Sequence, residues 1–407
     1  MGRLGIEVEP ADAGFDPERL ARVDRHFARY VDEGKLAGWQ LLVTRDGRIA
    51  HSSTCGLRDR EAGLPVEPDT IWRIYSMTKP ITSVAAMMLC EEGLLQLRDP
   101  ISAYLPEFAA PRVYTRGPAT APATEPAGPI QVRHLLTHTS GLTYGFLRSS
   151  PVDEMYRAAG YEFFPADGTD LAVACERWGR LPLLFQPGTE WNYGYSTDVL
   201  GRLVEVVSGM PLDRFLAERI FGPLGMVDTA FTVPDDRRDR LAALYLKSAG
   251  GPVRGDAFPP DPAAQAFLSG GGGLFSTTAD YHRFSSMLLH RGELDGTRLL
   301  GSRTVDAMTR NHLPGGRTLA ELGRPFDAVT VFDGLGFGLG FSVLVDPIAN
   351  GTLASPGEFG WGGMASTVFW VDPVERITVI FMTQLVPSSS YPLRPQLRYL
   401  VNSALVD

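Results

Sequence analysis

The chain has 407 residues, of which 44% are hydrophobic and 21% charged, an ordinary balance for a globular protein able to bury a large core. A net charge of −9 argues against nucleic acid and against anionic membrane surfaces as partners, and no apolar run approaches the length of a membrane span. Met1 to Leu20 carries acidic residues and prolines where an export signal needs a basic start and an apolar core, so a cytoplasmic location is expected.

Asp16-Pro17 can cap a helix running to about Gly34, with Leu20, Val23, Phe27 and Val31 on one face. Trp39 to Val43 and Arg48 to Thr54 read as two strands joined at Asp46-Gly47, a hairpin signal. Ile71 to Pro80 reads as an approach segment and a turn, leading into a buried helix over Ile81 to Leu95. Val84, Ala85, Met88 and Leu89 recur there at helical spacing, and Gly93 marks a break. Pro111 to Pro129, rich in Pro, Ala and Thr, reads as an irregular surface loop. A helical pattern resumes over Gln131 to Thr139 and ends at Ser140-Gly141.

Residues 142–185 scatter Tyr144, Phe146, Tyr156, Tyr161, Phe163, Phe164 and Trp178 among turn residues, a composition that suits either core or the wall of a cleft. Helical patterns follow over Asp198 to Leu224, with Gly209-Met-Pro between two helices and a stop at Gly222-Pro223, and over Thr278 to Arg291. Gly336 to Val343, Thr367 to Val371 and Ile377 to Met382 alternate as antiparallel strands, the last two joined through Asp372 to Glu375. This order predicts an α/β (α+β) fold with an antiparallel sheet made from both chain ends. Residues 1–75 and 325–407 form the sheet region, and a mainly helical region, 76–324, is inserted between them with the active site at the junction.

Ser76 falls at the mouth of the first buried helix with Lys79 three residues on, so hydroxyl and amine share a helix face. Unpaired N–H groups at such a mouth favour an oxyanion and disfavour an ammonium. Of 38 basic residues only Lys35, Lys79 and Lys247 are lysines, and arginine cannot replace lysine as a base. Tyr193, on the turn-rich stretch Pro187 to Ser196, is a candidate proton relay, the alternative being a tyrosine merely packed against a helix start. Trp361-Gly362-Gly363-Met364 opens a strand where glycines permit close approach and a free N–H could meet a developing oxyanion.

Other patterns are weaker. Gly334 to Gly340 alternates like a strand and lacks the flanks of a nucleotide loop, and Ser269 to Leu274 lacks a P-loop lysine and fits close backbone packing near the site. His134 and His138 lack the intervening glutamate and third ligand of a metal site, so no metal or cofactor is expected. Cys55, Cys90 and Cys175 are widely spaced and fit reduced, buried thiols. There is no Gly-x-Ser-x-Gly elbow.

Taken together, Ile74 to Pro80, His134 to Leu142, Pro187 to Tyr193 with Asp198 to Gly201, Gly270 to Thr277 and Trp361-Gly-Gly resemble the penicillin-recognising serine enzymes of the class C β-lactamase type. Within that superfamily the likeness is to family VIII carboxylesterases and related acyltransferases. The resemblance spans about Phe15 to Gln384. It implies that Ser76 is the acylated nucleophile, Lys79 its base and Tyr193 the relay, with the backbone N–H groups of Ser76 and Met364 as oxyanion hole. Trp361, Gly362, Gly363 and Tyr195 would meet the substrate. Trp361-Gly-Gly replaces the Lys-Thr-Gly usual in β-lactamases and peptidases, which removes the cation that holds a substrate carboxylate. The implied activity is therefore hydrolysis of short-to-medium acyl esters. Acyl transfer from an ester or thioester to an alcohol is the alternative, and a β-lactamase or D-amino-acid peptidase stands third.

Overall fold

Period-two alternation along the central strands sends consecutive residues to opposite faces of one sheet, and each face has its own core. The structure, a computed structural model, describes residues 4–163, 165, 168–255, 266–324 and 332–406. The N-terminal part supplies β1 (Gly38–Arg45), β2 (Arg48–Asp59) and β3 (Leu64–Pro65). The C-terminal part supplies β4 (Leu335–Phe337), β5 (Ser342–Leu344), β6 (Phe359–Gly362), β7 (Val368–Asp372) and β8 (Ile377–Thr383). These eight lie in the order β4-β5-β6-β7-β8-β1-β2-β3, every neighbouring pair antiparallel. The two chain ends meet at β1 and β8, in register from Trp39 opposite Thr383 to Arg45 opposite Ile377.

Leu41, Val43, Val379 and Phe381 point to one face, where α1 (Pro17–Asp32) buries Leu20, Val23 and Phe27, and α5 (Leu393–Asn402) buries Leu393, Leu397 and Val401. Asp16 caps α1 by accepting from the N–H groups of Glu18 and Arg19, with Pro17 at the first helical position. Leu42, Phe369, Ile380 and Met382 point to the other face and join the core containing α2 (Thr78–Glu91) and α4 (Thr278–Leu289). Every residue of α2 from Thr78 to Leu89 is buried, so this helix threads the interior between the sheet and the helical region. α3 (Ser196–Ser208) packs beside it, and α2 gives way to Gly93 at φ +74°.

The structure departs from the sequence expectations in four places. Gly336 to Val343 is not one strand but two, β4 and β5, with a turn between them. Alternating glycines imitate a strand here, whereas Gly338, Leu339 and Gly340 bond to Phe341, Met308 and Leu136 and fold the turn onto the helical region. Gly340 sits at φ +101°, where a Cβ would run into Ser83 of α2. Pro111 to Pro129 holds a hairpin, Arg112–Arg116 paired with Ala123–Pro126, where an irregular loop was expected. The helix expected over Gln131 to Thr139 is only Val132–Leu136, and His138 lies at φ +53°. The second of the two helices expected over Asp198 to Leu224 continues through the expected stop at Gly222-Pro223 to Leu224 and turns at Gly225, φ +67°. Phe164 and the expected boundary at residue 325 lie outside the described residues.

Candidate active site

Trp72–Arg73 pairs antiparallel with Phe275–Ser276, and the Ile74 N–H donates to Leu274 O at 3.1 Å. This pairing draws the glycine-rich stretch 270–273 beside the start of α2. Tyr75 then adopts φ +43°, a left-handed conformation costing a non-glycine residue about 1–3 kcal/mol, immediately before Ser76. A single tight turn, Tyr75–Met77, leads into α2. Met77 O is held by the Tyr281 hydroxyl at 2.9 Å, and Thr78 Oγ1 accepts from the Leu274 N–H. The strained turn is thus fixed on both sides.

Lys79 is 2% exposed, and its Nζ lies 3.2 Å from Ser76 Oγ and 2.6 Å from Gly271 O. A carbonyl can only accept, so one amine N–H points at Gly271. Nζ also sits 4.5 Å above the centre of the Tyr193 ring and 5.5 Å from that of Tyr144. The indole N–H of Trp361, on β6, donates to the Tyr193 hydroxyl at 3.2 Å. Ser76, Lys79, Tyr193 and Trp361 are therefore brought into one cluster from the turn Tyr75–Met77, α2, the loop before α3 and the C-terminal end of β6.

Gly362 and Gly363 are where the end of β6 closes on the turn that carries Ser76. A Cβ on Gly363 would meet Thr367 Oγ1 and Ile74 O, and one on Gly362 would meet the Arg394 guanidinium. Arg394 donates to Gly363 O at 2.7 Å and to Thr367 O at 3.1 Å, while the Gly363 N–H donates to Thr367 O. Among the described residues the next N–H, that of Met364, has no acceptor.

Asp198 stands in the sequence analysis only as the start of a motif, with no role of its own. It lies in the first turn of α3, where a carboxylate ordinarily complements the helix dipole and needs no further role. Here it is 1% exposed, and its Oδ1 accepts from Ser269 Oγ at 2.5 Å and from the Gly271 N–H at 3.0 Å. Burial pushes its pKa up, and the nearby Lys79 charge opposes that shift ahead of the two hydrogen bonds. A Cβ on Gly271 would strike this carboxylate, so Asp198 and Gly271 together set the carbonyl that orients Lys79. Nothing local in Thr197-Asp198-Val199 signals this, since its partners lie some seventy positions on.

Tyr195 does not line the cleft as expected. It is 2% exposed, stacked on Trp178 at 4.4 Å and on Tyr156 at 5.8 Å, and its hydroxyl is directed to Phe163 O at 2.9 Å and Tyr161 O at 3.3 Å. Its large ring takes it into the core, so it supports the wall from behind. The two histidines are likewise separate. His134 caps its own short helix, with Nδ1 accepting from the Gln131 N–H, and burial lowers its pKa to about 4. His138, packed against Tyr193, Trp191 and Phe337, is held neutral by burial and secondarily by Lys79. Among the described residues no group of three or more His, Cys, Asp or Glu could hold a metal ion, and no helix is long and apolar enough to cross a membrane.

A family profile described as Beta-lactamase matches residues 23–403. The chain belongs to the beta-lactamase family. Relatives inside it include Protein Rv1367c of Mycobacterium tuberculosis, 37% identical over 88% of this chain and 88% of the relative. Esterase EstB of Burkholderia gladioli is 32% identical, covering 92% of this chain and 93% of its own. Among solved structures, "EstCE1, a hydrolase with promiscuous acyltransferase activity" superposes with a TM-score of 0.80 at 27% identity, covering 96% of this chain and 99% of the other. The family's mixed fold, with a large antiparallel sheet, is the one described above.

Proposed function

We propose that the protein is a serine ester hydrolase working through an acyl-enzyme on Ser76. The observation that carries this is the buried Lys79 amine, 3.2 Å from Ser76 Oγ and steered by Gly271 O, in a cluster capped by Tyr193 and Trp361. With one N–H committed to Gly271, a neutral amine can turn its lone pair toward the Ser76 hydroxyl and accept its proton. The alkoxide attacks the ester carbonyl, and the tetrahedral oxyanion meets the N–H groups of Ser76 and Met364, the latter without an acceptor of its own among the described residues. Tyr193, whose ring lies under Lys79 Nζ, gives its hydroxyl proton to the leaving alcohol and recovers one from Lys79, and water then releases the acid. Trp361 acts through its hydrogen bond to the Tyr193 hydroxyl. Gly362 and Gly363 act by letting the end of β6 approach, and Trp361-Gly-Gly brings no cation for a substrate carboxylate, which favours neutral esters.

The likeness to Esterase EstB supports the reaction class, and the printed description of EstCE1 favours a second outcome, release of the acyl group to an alcohol. Both share the first half-reaction, so a competing alcohol divides product between acid and new ester in ping-pong fashion. The test is hydrolysis of p-nitrophenyl butanoate by wild type and Ser76→Ala. At least a thousandfold loss in kcat/KM is expected with the fold intact by circular dichroism. Turnover retained in Ser76→Ala would move the nucleophile elsewhere.

A further inference from the structure

Three aromatic rings lead outward from Lys79. Tyr144, 5.5 Å from Nζ, stacks on Phe146 at 4.8 Å and 20°, and Phe146 stacks on Phe163 at 5.2 Å and 10°. Exposure rises along the row: Tyr144 is 7% exposed, Phe146 partly buried and Phe163 36% exposed. A single exposed aromatic needs no explanation, but a contiguous row of three running from a buried amine to solvent has the form of a binding surface.

The row is also held rigidly. Phe163 O is taken by the Tyr195 hydroxyl at 2.9 Å, and the Arg157 guanidinium donates to Gly145 O at 2.7 Å between Tyr144 and Phe146. An ion pair of Arg148 with Glu162 ties the two segments together at their outer ends. These bonds fix the carriers of the rings from beneath and from the side, which reduces the ordering cost when a ligand lies against them.

We propose that the row is a specificity subsite for an aromatic ring borne by the ester, with Phe146 and Phe163 as specificity-determining residues and Tyr195 as the residue that positions Phe163. This rests on the ester-hydrolase reading above. A flat ring gains both burial and offset stacking against such a row, whereas a short alkyl chain reaches only its inner end.

Two substrate pairs separate the side of the ester that the row takes: methyl 4-phenylbutanoate against methyl butanoate, and 4-phenylbutyl acetate against butyl acetate. At least one phenyl ester should exceed its alkyl partner tenfold or more in kcat/KM. Phe163→Ala and Phe146→Ala should bring that ratio to within about threefold of one while leaving alkyl-ester kcat/KM within about threefold of wild type. Tyr195→Phe should lower the ratio in the same direction and less. Binding is read independently by titrating Ser76→Ala with each ester and following intrinsic fluorescence, where the phenyl preference should persist and disappear in Ser76→Ala/Phe163→Ala. Equal treatment of phenyl and alkyl esters in both assays, or a preference untouched by both phenylalanine substitutions, overturns the subsite. A preference in binding with no turnover by wild type would instead overturn the hydrolase reading and leave the subsite standing.

Discussion

The proposed proton traffic at this site depends on which atoms each polar side chain can reach. Trp361 has one donor, and it is directed to the Tyr193 hydroxyl. Trp361→Phe keeps the ring and removes that bond, whose strength when one partner gathers charge is about 1.5–3 kcal/mol. A tenfold or greater fall in kcat with KM within about threefold is expected from steady-state ester hydrolysis, and an unchanged kcat would remove Trp361 from the relay. Asp198 offers a sharper contrast. Its Oδ1 receives both Ser269 and Gly271, so Asp198→Asn retains an acceptor for each, whereas Asp198→Ala leaves two buried donors unpaired at about 1–3 kcal/mol apiece. Urea denaturation should show the alanine variant several kcal/mol weaker, with kcat/KM lost beyond the effect of the asparagine variant.

At the scale of elements, the site is made where backbones touch. The turn between β4 and β5 presses onto α2 through Gly340, whose φ of +101° and proximity to Ser83 both exclude a side chain. Gly340→Ala should cost at least about 1–3 kcal/mol in urea denaturation, and Ser83→Ala in the same background should recover little, because the Cβ it keeps at that position is itself 2.5 Å from the added methyl. An unaltered midpoint in Gly340→Ala would mean the turn can relax without loss. This is also where sequence reading reached its limit. The Asp46-Gly47 hairpin was legible because its chemistry is local: both residues sit at positive φ, 53° and 77°, and the strands on either side alternate. Gly336 to Val343 alternates equally well, and only the distant Leu136 and Met308 turn it into a hairpin. The same holds for the hairpin Arg112–Arg116 with Ala123–Pro126, whose mostly half-buried or exposed residues carry no alternating apolar signal. Ser76 and Lys79 were legible through spacing on one helix, and Asp198 was not, because its partners come from another segment.

Across the whole molecule, the strand that bears Trp361, β6, is anchored to the C-terminal helix by a buried charge pair. Glu358 is 3% exposed, pairs with Arg398 at 2.7 Å, and leads directly into β6. Burial raises its pKa to about 7, with Arg398 opposing. In the unfolded chain the group titrates near 4.5, so between about pH 4.5 and 7 the folded state holds the extra proton. Its contribution to stability is therefore lost as pH rises through that window. Glu358→Gln imitates the protonated form and should gain on wild type between pH 5 and pH 8, by at most about 3 kcal/mol in paired thermal or urea unfolding. A difference that stays flat with pH would mean Glu358 remains ionised throughout.

The nucleophile itself is most directly tested by covalent labelling. Wild type treated with a fluorophosphonate at neutral pH should take up one adduct by intact mass, and peptide mapping should put it on Ser76. Ser76→Ala should remain unmodified, and Lys79→Arg, which keeps the charge but gives up the base, should label at least a hundredfold more slowly. An adduct on another serine, or esterase activity that survives in Ser76→Ala, would contradict the acyl-enzyme at the mouth of α2.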